Sequence, residues 1–459
     1  MASSERPLPY ARLAVPLLAL LLAAACAPMH AHGDGQASLA QAGRSTGDDA
    51  GLVPVMGRHG EAVSAPTRPL ADECRDRRDA LAERLGDGFV WLTAAEENEL
   101  GRFFQSNDFY YLTGVESPEV AMAMHVRGGR ILDEVLFLQP RDLDWEVWNG
   151  ARLYPGEAAE EATGFRRTLP LDDQQSVLDG WGAGTLYTDG TSLAVDVPDI
   201  VALDTQALTG DYYRPGHLAM LRLVKSDYEI RCLENAIDIT GNALHDALHQ
   251  VRPGAWEYQV QAAIEAGFMH RGAERPGFAS ICGAGQNSVT LHYNANRAQL
   301  RDGDLIVCDV GAKYRYYCAD VTRTLPVNGR FTPRQREVYE LVLAAQTAAA
   351  EAARPGITMA ELDAIARKVI DEGGFGPGRK YFKHGLGHWI GLDVHDVGGR
   401  SPIEVGTLFT IEPGIYIADE GLGVRIEDDY IMTPDGAERL STGFPSDPDE
   451  IEALMARLR

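Results

Sequence analysis

The chain between residues 70 and 220 alternates short apolar runs with amphipathic stretches. Three runs combine β-branched and large apolar residues in the manner of strands, at 89–93, 121–126 and 135–138. Helical spacing of apolar residues occurs over 75–85, over 143–148 and in pieces between 156 and 180. Because strands here alternate with helices, we predict an α/β domain over this part of the chain.

The strongest helical signals come later in the sequence. Ser226 and Glu229 have the spacing of a capping box, and apolar residues then recur every three to four positions. The segment 252–254, Arg-Pro-Gly, ends this predicted helix, and a second helix is predicted over 256–269.

The same plan then repeats. Capping signals at Thr332 and Thr358 start a second pair of predicted helices, separated by another Arg-Pro-Gly at 354–356. Each helix pair leads into glycine-rich β structure. We therefore predict an α+β domain over 221–445, built from two halves with a site between them, and a C-terminal tail over 446–459.

A short pattern ending in an acid occurs once in each half, at a constant offset of 103 residues. Gly303, Leu305, Asp309 and Gly311 align with Gly406, Leu408, Glu412 and Gly414. His292 and His395 are in the same register, each seventeen residues before its acid. Two half-domains that present an acid at the same place are what a pseudo-symmetric two-metal site requires.

Four acids and one histidine are predicted to converge in this domain. The segment between Asp309 and Asp320 is long enough for two strands and a turn, which brings both carboxylates onto one face. Glu412 holds the matching position in the second half, and Glu427 lies on its return strand. Four ionised carboxylates repel each other unless cations are bound. With His388 as the single nitrogen ligand, the set suits Mn²⁺, with Co²⁺, Fe²⁺ or Zn²⁺ as alternatives.

Composition excludes one class of partner. The chain has 459 residues, of which 45% are hydrophobic and 24% charged, and its formal net charge is −25. Such a charge argues against binding to nucleic acid, whose phosphates would repel the protein. Beyond residue 26 the cysteines are scattered, odd in number and without CxxC spacing, so we expect them to be small buried hydrophobes.

The N-terminus has the pattern of an export signal. Two arginines precede an apolar run over 13–25, which is too short to span a bilayer as a mature helix. Because the run stops directly at Cys26, as in a bacterial lipobox, we predict a signal peptide over 1–26 and lipidation of this cysteine. The mature protein would then be anchored in the cell envelope or periplasm. The alternative is ordinary cleavage between 25 and 31. Residues 27–69 are predicted to form a flexible linker.

Longer motifs resemble those of the pita-bread metallopeptidases. These motifs are Asp309-Val-Gly, Asp320-Val-Thr-Arg-Thr, His384-Gly-Leu-Gly-His388, Ile411-Glu-Pro-Gly-Ile-Tyr416 and Arg425-Ile-Glu-Asp428. Within that family the chain is most similar to the bacterial aminopeptidase P group, through the segments 106–114, 291–296 and 388–396. The resemblance covers about 70–445. It implies a creatinase-like N-terminal domain followed by a pita-bread catalytic domain.

The resemblance also implies a set of metal ligands. Asp309 would bind one of two divalent metals, Asp320 and Glu427 would bridge both, and His388 with Glu412 would complete the other. A water activated by the metals would attack the scissile carbonyl, and Glu412 would accept its proton.

Three further histidines and two residues behind the ligands receive roles in the same way. His292 and His395 would polarise the carbonyl, stabilise the oxyanion and hold the residue after the cleaved bond. His384 would line the pocket for proline. Tyr416 and Arg425 would orient Glu412 and Asp320 from behind.

The implied activity is that of an Xaa-Pro aminopeptidase, which releases the first residue from peptides with proline in second position. We expect a homo-oligomer, a dimer or tetramer. Trp145, Trp148 and Arg152 could reach a neighbouring subunit's cleft, and the alternative is packing in the core, which is the commoner fate of tryptophan. Three alternatives remain. A prolidase would take only dipeptides, a methionine aminopeptidase would lack a comparable N-terminal domain, and a non-catalytic pita-bread module would be expected to have lost ligands.

Overall fold

The computed structural model describes residues 55–56, 62–63, 66–97, 102–189, 200–203, 216–377 and 379–458. The predicted signal peptide, Cys26 and most of the predicted linker lie outside these ranges. Within the linker, β1 (Val55–Met56) pairs antiparallel with β2 (Ala62–Val63). A search of the described helices finds none with the length and apolar character needed to cross a bilayer.

The N-terminal domain alternates helices and strands, as the sequence predicts. Its elements are α1 (Leu70–Arg84), β3 (Gly88–Thr93), α2 (Asn107–Thr113), β4 (Ala121–Arg127), β5 (Arg130–Leu138), α3 (Leu143–Asn149), α4 (Glu157–Thr163), β6 (Thr168–Pro170), α5 (Gln174–Trp181), β7 (Thr185–Thr188), β8 (Ile200–Ala202) and α6 (His217–Leu223). The strands form one mixed sheet in the order β6-β5-β4-β3-β7-β8. Its centre is the antiparallel meander of β3, β4 and β5.

Strand β5 begins five residues before the predicted run. The sequence signal failed there because Asp133 and Glu134 interrupt the apolar pattern. Glu134 is nevertheless buried, because Nε of Arg78 lies 2.8 Å from its carboxylate and neutralises it. Before the strand, Gly128 and Gly129 both adopt positive φ, at 57° and 70°, and make the tight turn that joins β4 to β5.

The C-terminal domain has two halves, each with a helix pair followed by antiparallel strands. The first contains α7 (Asp227–Ala247), α8 (Glu257–His270), β9 (Arg275–Pro276), β10 (Ile281–Ala284), β11 (Leu305–Val310), β12 (Ala312–Tyr314), β13 (Tyr317–Cys318) and β14 (Val321–Pro326). The second contains α9 (Pro333–Ala352), α10 (Met359–Ile370), β15 (Leu408–Ile411), β16 (Gly414–Ile417), β17 (Leu422–Arg425), β18 (Asp428–Thr433), β19 (Gly436–Arg439) and α11 (Pro448–Arg457). Capping boxes at Ser226, Thr332 and Thr358 start three of the helices, which confirms those predictions.

The repeat is visible in single hydrogen bonds. Gly254 donates its backbone N–H to the carbonyl of Leu300 at 2.9 Å, and Gly356 donates to Ile403 at 2.8 Å. Both glycines have φ of 88°, a conformation that a residue with a Cβ adopts at a cost. The two Arg-Pro-Gly segments therefore end their helices in the same turn and attach it to the same place in each half.

Apolar packing joins the two domains and attaches the C-terminal segment to the second of them. Leu112 of the first domain and Leu233 of the second belong to one buried apolar cluster, so the domains share part of their core. The segment 446–459, set apart above as a tail, contains α11, and its Ile451 and Met455 are buried in the core of the catalytic domain. The segment is therefore part of the catalytic domain and not a tail, because the apolar residues of α11 lie on one face of the helix and pack against that core. The five described cysteines are buried as free thiols, as predicted.

Candidate metal centre

The first half brings Asp309 and Asp320 together through its central strand pair. Asp309 lies in β11, and Asp320 is the residue directly before β14. The two strands are antiparallel, with Asp309 opposite Thr322, so both carboxylates reach the same end of the pair. The intervening chain makes the short hairpin of β12 and β13, in agreement with the predicted two strands and a turn.

The second half repeats this arrangement. Glu412 directly follows β15, and Glu427 directly precedes β18. Ile411 pairs with Asp428, so the two glutamates emerge side by side at the end of the pair. Glu427 thus occupies the break between β17 and β18 rather than the interior of a return strand. Its backbone N–H donates to the carbonyl of Thr322 at 3.1 Å, which joins the two halves at the site.

His388 presents one nitrogen to the acids. Its Nδ1 lies 3.0 Å from the carbonyl of Trp389, which can only accept, so Nδ1 carries the proton and Nε2 has the free lone pair. Burial, and next the charge His395 would bear, lower the pKa of His388 to about 4, which keeps the ring neutral. Nε2 lies 3.4 Å from Asp320 and 3.8 Å from both Glu412 and Glu427.

The donor set fits divalent cations. Ligand atoms of Asp320, His388 and Glu427 all lie within 4.8 Å of one another. One carboxylate oxygen each of Asp309, Asp320 and Glu427 is buried without a hydrogen-bond partner. Burial of such an oxygen destabilises the folded protein unless a cation binds it. Burial, followed by the charge of Asp309, raises the pKa of Glu427 to about 8. Burial and the charge of Glu427 raise the pKa values of Asp320 and Glu412 well above their usual range.

A cavity of about 550 Å³ opens onto this cluster. All five predicted ligands line it, together with His292, His384 and His395. The ring centroids of His388 and His395 lie 4.2 Å apart. Burial, and next the charge His292 would bear, lower the pKa of His395, so this imidazole is neutral near pH 7 and has one N–H to donate. The structure therefore brings together every residue that the sequence assigned to ligation or substrate contact.

Arg425 and Tyr416 lie behind the ligands, but they contact partners other than those expected. Arg425 places Nη2 2.5 Å from Oδ2 of Asp309, not beside Asp320. Its Nη1 donates to the Tyr416 hydroxyl at 2.9 Å. That hydroxyl lies 2.8 Å from Nε2 of His384, whose Nδ1 lies 2.8 Å from the Gly385 carbonyl. Tyr416 therefore orients His384 instead of Glu412.

Two supporting residues were missed by sequence reasoning. Thr322 donates its hydroxyl to Oε2 of Glu427 at 2.7 Å and accepts from Nε of Arg425 at 3.2 Å. Asp429 accepts the backbone N–H of Asp320 at 3.2 Å. Thr322 and Asp429 each lie two residues after a predicted ligand, and on a strand this spacing places side chains on the same face. The two-residue spacing from a predicted ligand could therefore have identified both residues from the sequence.

Comparison with known proteins agrees with the fold and the site. Residues 231–434 match the model of metallopeptidase family M24, and residues 74–187 match the aminopeptidase P N-terminal domain. The chain is 36% identical over 436 residues to the Xaa-Pro aminopeptidase of Escherichia coli K12, covering 84% of this chain and 98% of that protein.

Two further similarities bear on function. Aminopeptidase P from E. coli with the inhibitor Pro-Leu is similar in structure, with a TM-score of 0.78 and 32% identity over 86% of this chain and 100% of that one. The Xaa-Pro dipeptidase of Pyrococcus horikoshii is 42% identical over 226 residues, which cover only 48% of this chain and 63% of that protein.

Fold and site together define a metallopeptidase with its ligands divided between two related half-domains. The chain belongs to metallopeptidase family M24, in the group that carries the aminopeptidase P N-terminal domain.

Proposed function

We propose that this chain is an Xaa-Pro aminopeptidase, which releases the N-terminal residue from peptides with proline in second position. The observation that carries the proposal is the cavity into which all five ligand residues and the three further histidines project. The similarity to the E. coli Xaa-Pro aminopeptidase extends through both domains and supports the same activity.

Asp309, Asp320, His388, Glu412 and Glu427 would hold two divalent ions, and Mn²⁺ suits their four carboxylates and one imidazole best. When bound, such ions lower the pKa of water and polarise the scissile carbonyl. Charge balance supports this assignment, because four acids line the cavity and Arg425, which contacts Asp309, adds only one positive charge.

The chain's own residues supply proton transfer and orientation. Glu412 would accept the proton of the attacking water, and burial with the charge of Glu427 raises the pKa of this carboxylate, which makes it a stronger base than an exposed glutamate. His292 and His395 would each donate an N–H to the developing oxyanion. Both nitrogens of His384 are engaged by Tyr416 and Gly385, so it would offer its ring face to the substrate.

The cavity also suits proline. An Xaa-Pro bond has no N–H and cannot be held by strand-like pairing, so recognition must come from the shape of the ring. Phe278, Ile281, Leu291 and Val394 give the cavity an apolar wall beside the polar cluster. Apolar packing against a ring needs no hydrogen bond from the scissile amide.

Product analysis tests the proposal. The protein loaded with Mn²⁺ is given Ala-Pro, Ala-Pro-Ala and Ala-Ala-Ala, and free alanine is measured by mass spectrometry, with Asp320→Ala as the control for contaminating peptidases. We expect release from Ala-Pro-Ala and little from Ala-Ala-Ala. Cleavage of Ala-Pro alone would identify a prolidase, which the similarity to the Pyrococcus dipeptidase favours as second candidate. No cleavage by metal-loaded protein would identify a binding module.

The proposal includes an oligomer. Helix α3 has no buried residue, and Val147 and Trp148 are 81% and 86% exposed. The guanidinium of Arg152 lies over the ring of Trp145, 4.3 Å from its centroid, as in a cation–π contact. Large apolar side chains so exposed are typical of a surface that another protein covers. A second copy of this chain would be that partner, in a dimer or tetramer.

We also propose that the protein is exported and anchored to the cell envelope through lipid at Cys26. The support is the sequence pattern of 1–26, with a linker over 27–69 long enough to hold the catalytic domains away from the bilayer.

A further inference from the structure

The segment 391–396, here called the His395 loop, takes its shape from other parts of the chain. The carbonyl of Leu392 accepts from Nζ of Lys313 at 2.9 Å and from the side-chain amide of Asn107 at 3.3 Å. Lys313 belongs to β12 of the catalytic domain, whereas Asn107 belongs to the N-terminal domain. The loop that presents His395 to the cavity is therefore held from both domains.

A group of charges, buried except for the half-exposed Asp393, fixes the chain before and after His395. Nη2 of Arg222 lies 2.8 Å from Asp393 and 2.5 Å from Asp396, and Nζ of Lys225 lies 2.9 Å from the second oxygen of Asp396. Burial raises the pKa of Asp396, but the charges of Lys225 and Arg222 outweigh it and hold that pKa below its usual range. Asp396 therefore stays ionised and bound at neutral pH.

The first turn of α2 reaches the same group from the N-terminal domain. Asp108 accepts from Nη1 of Arg222 at 2.7 Å. Asn107 donates from Nδ2 to the carboxylate of Asp393 at 2.6 Å. The remaining residues of α2 are buried in the core of that domain, so the two polar side chains project from a fixed base. The sequence shows no catalytic cluster in the N-terminal domain, yet Asn107 of this domain contacts Asp393, two residues before His395.

We propose that Asn107 and Asp108 are positioning residues for His395, acting through Asp393 and Arg222. This inference rests on the proposed function, in which His395 contacts the scissile carbonyl. Stabilisation of an oxyanion requires a donor placed to a fraction of an ångström, so a looser loop slows the chemical step while the metal ligands are untouched. The N-terminal domain thereby contributes to the rate through the position of His395.

A double-mutant cycle tests the coupling. Asn107→Ala should lower kcat on Ala-Pro-Ala by about tenfold or more, with unchanged metal content. In a His395→Ala background the same change should lower kcat by less than about twofold, because the group that it positions is gone. The matched control is Asn328→Ala, which removes an amide-to-carboxylate bond of 2.8 Å to Asp302 at a place that does not line the cavity. The control should leave kcat unchanged.

Hydrogen exchange gives a readout independent of turnover. In Asn107→Ala, and in the isosteric variant Asp108→Asn, amides of the His395 loop should exchange faster while those of α7 and α9 do not. An equal loss of kcat in both backgrounds, or an unaltered exchange rate in the loop of both variants, would overturn the inference. A metal-loaded wild type that cleaves no Xaa-Pro peptide would instead refute the proposed function, and the exchange measurement would still show whether α2 holds the loop.

Discussion

Arg425 holds one oxygen of Asp309 and leaves the other for a different partner. Its Nη2 lies 2.5 Å from Oδ2, whereas Oδ1 is buried and has no hydrogen bond. The same guanidinium contacts Tyr416 and Thr322. A planar group with fixed donors can satisfy all three partners at once, so Arg425 determines the direction in which Asp309 presents its free oxygen.

Arg425→Lys should therefore not be a conservative change. Lysine keeps the positive charge but cannot contact Asp309, Tyr416 and Thr322 together. We expect activity or metal affinity to fall by about 10- to 100-fold, as is usual when a residue that orients a metal ligand is replaced. Kinetics and elemental analysis would measure the two losses. Wild-type values for both would show that Arg425 does not orient Asp309.

The metal-free protein should lose stability as pH rises. The ordinary pKa of a glutamate is 4.5, and burial with the charge of Asp309 raises that of Glu427 to about 8. Between these values the folded state binds more protons than the unfolded state, so the free energy of unfolding falls with increasing pH. We expect the Tm of the metal-free protein to fall from pH 5 to 8, and the gain in Tm on adding Mn²⁺ to grow. Glu427→Gln should flatten the metal-free profile, and an unchanged slope would contradict this account.

Asp320→Ala and His395→Ala should separate metal binding from catalysis. Asp320 has a buried oxygen without a partner and lies 3.4 Å from His388, so its loss should remove metal together with activity. In the proposed mechanism His395 acts in the transition state, so its loss should keep two metals per chain while kcat falls about 10²- to 10³-fold. Elemental analysis would measure the metal content of both variants, and kinetics would measure their kcat. Loss of metal from His395→Ala would assign that residue to the ligands.

Trp148→Glu should disrupt the proposed oligomer. A carboxylate at the centre of an apolar interface must be desolvated without a partner, which opposes association. Light scattering after size exclusion should show a lower mass than for the wild type. Val405→Glu is the matched control, because Val405 is also apolar and 42% exposed but lies in the catalytic domain. A wild type that is already monomeric would rule out the interface.

Cys26→Ser should release the protein from the envelope while it remains active. The anchor would be acyl chain, and the site residues lie far along the chain from Cys26. Fractionation of cells and mass spectrometry of the mature N-terminus would measure this. A mature N-terminus at Ala27 or later, or a substituted protein still bound to membrane, would exclude lipidation.

Local signals in the sequence determined much of the fold. The capping boxes at Ser226, Thr332 and Thr358 depend on residues a few positions apart, and the structure contains them as predicted. Capping and period-two or period-3.6 patterning are short-range effects that act on the chain before it folds. They could not show that β5 starts at Arg130, because the buried pair of Glu134 with Arg78 joins residues in separate elements.

Only the tertiary structure decided which residues support the site. Arg425 contacts Asp309 across 116 positions of the sequence, and Asn107 contacts Asp393 across 286. The motif around each of these residues predicted the secondary structure in which the residue lies, but it did not predict which residue the side chain contacts. Such pairings arise when two half-domains and the N-terminal domain pack over a shared core, where the partner of a buried charge depends on distances between elements rather than on spacing along one of them.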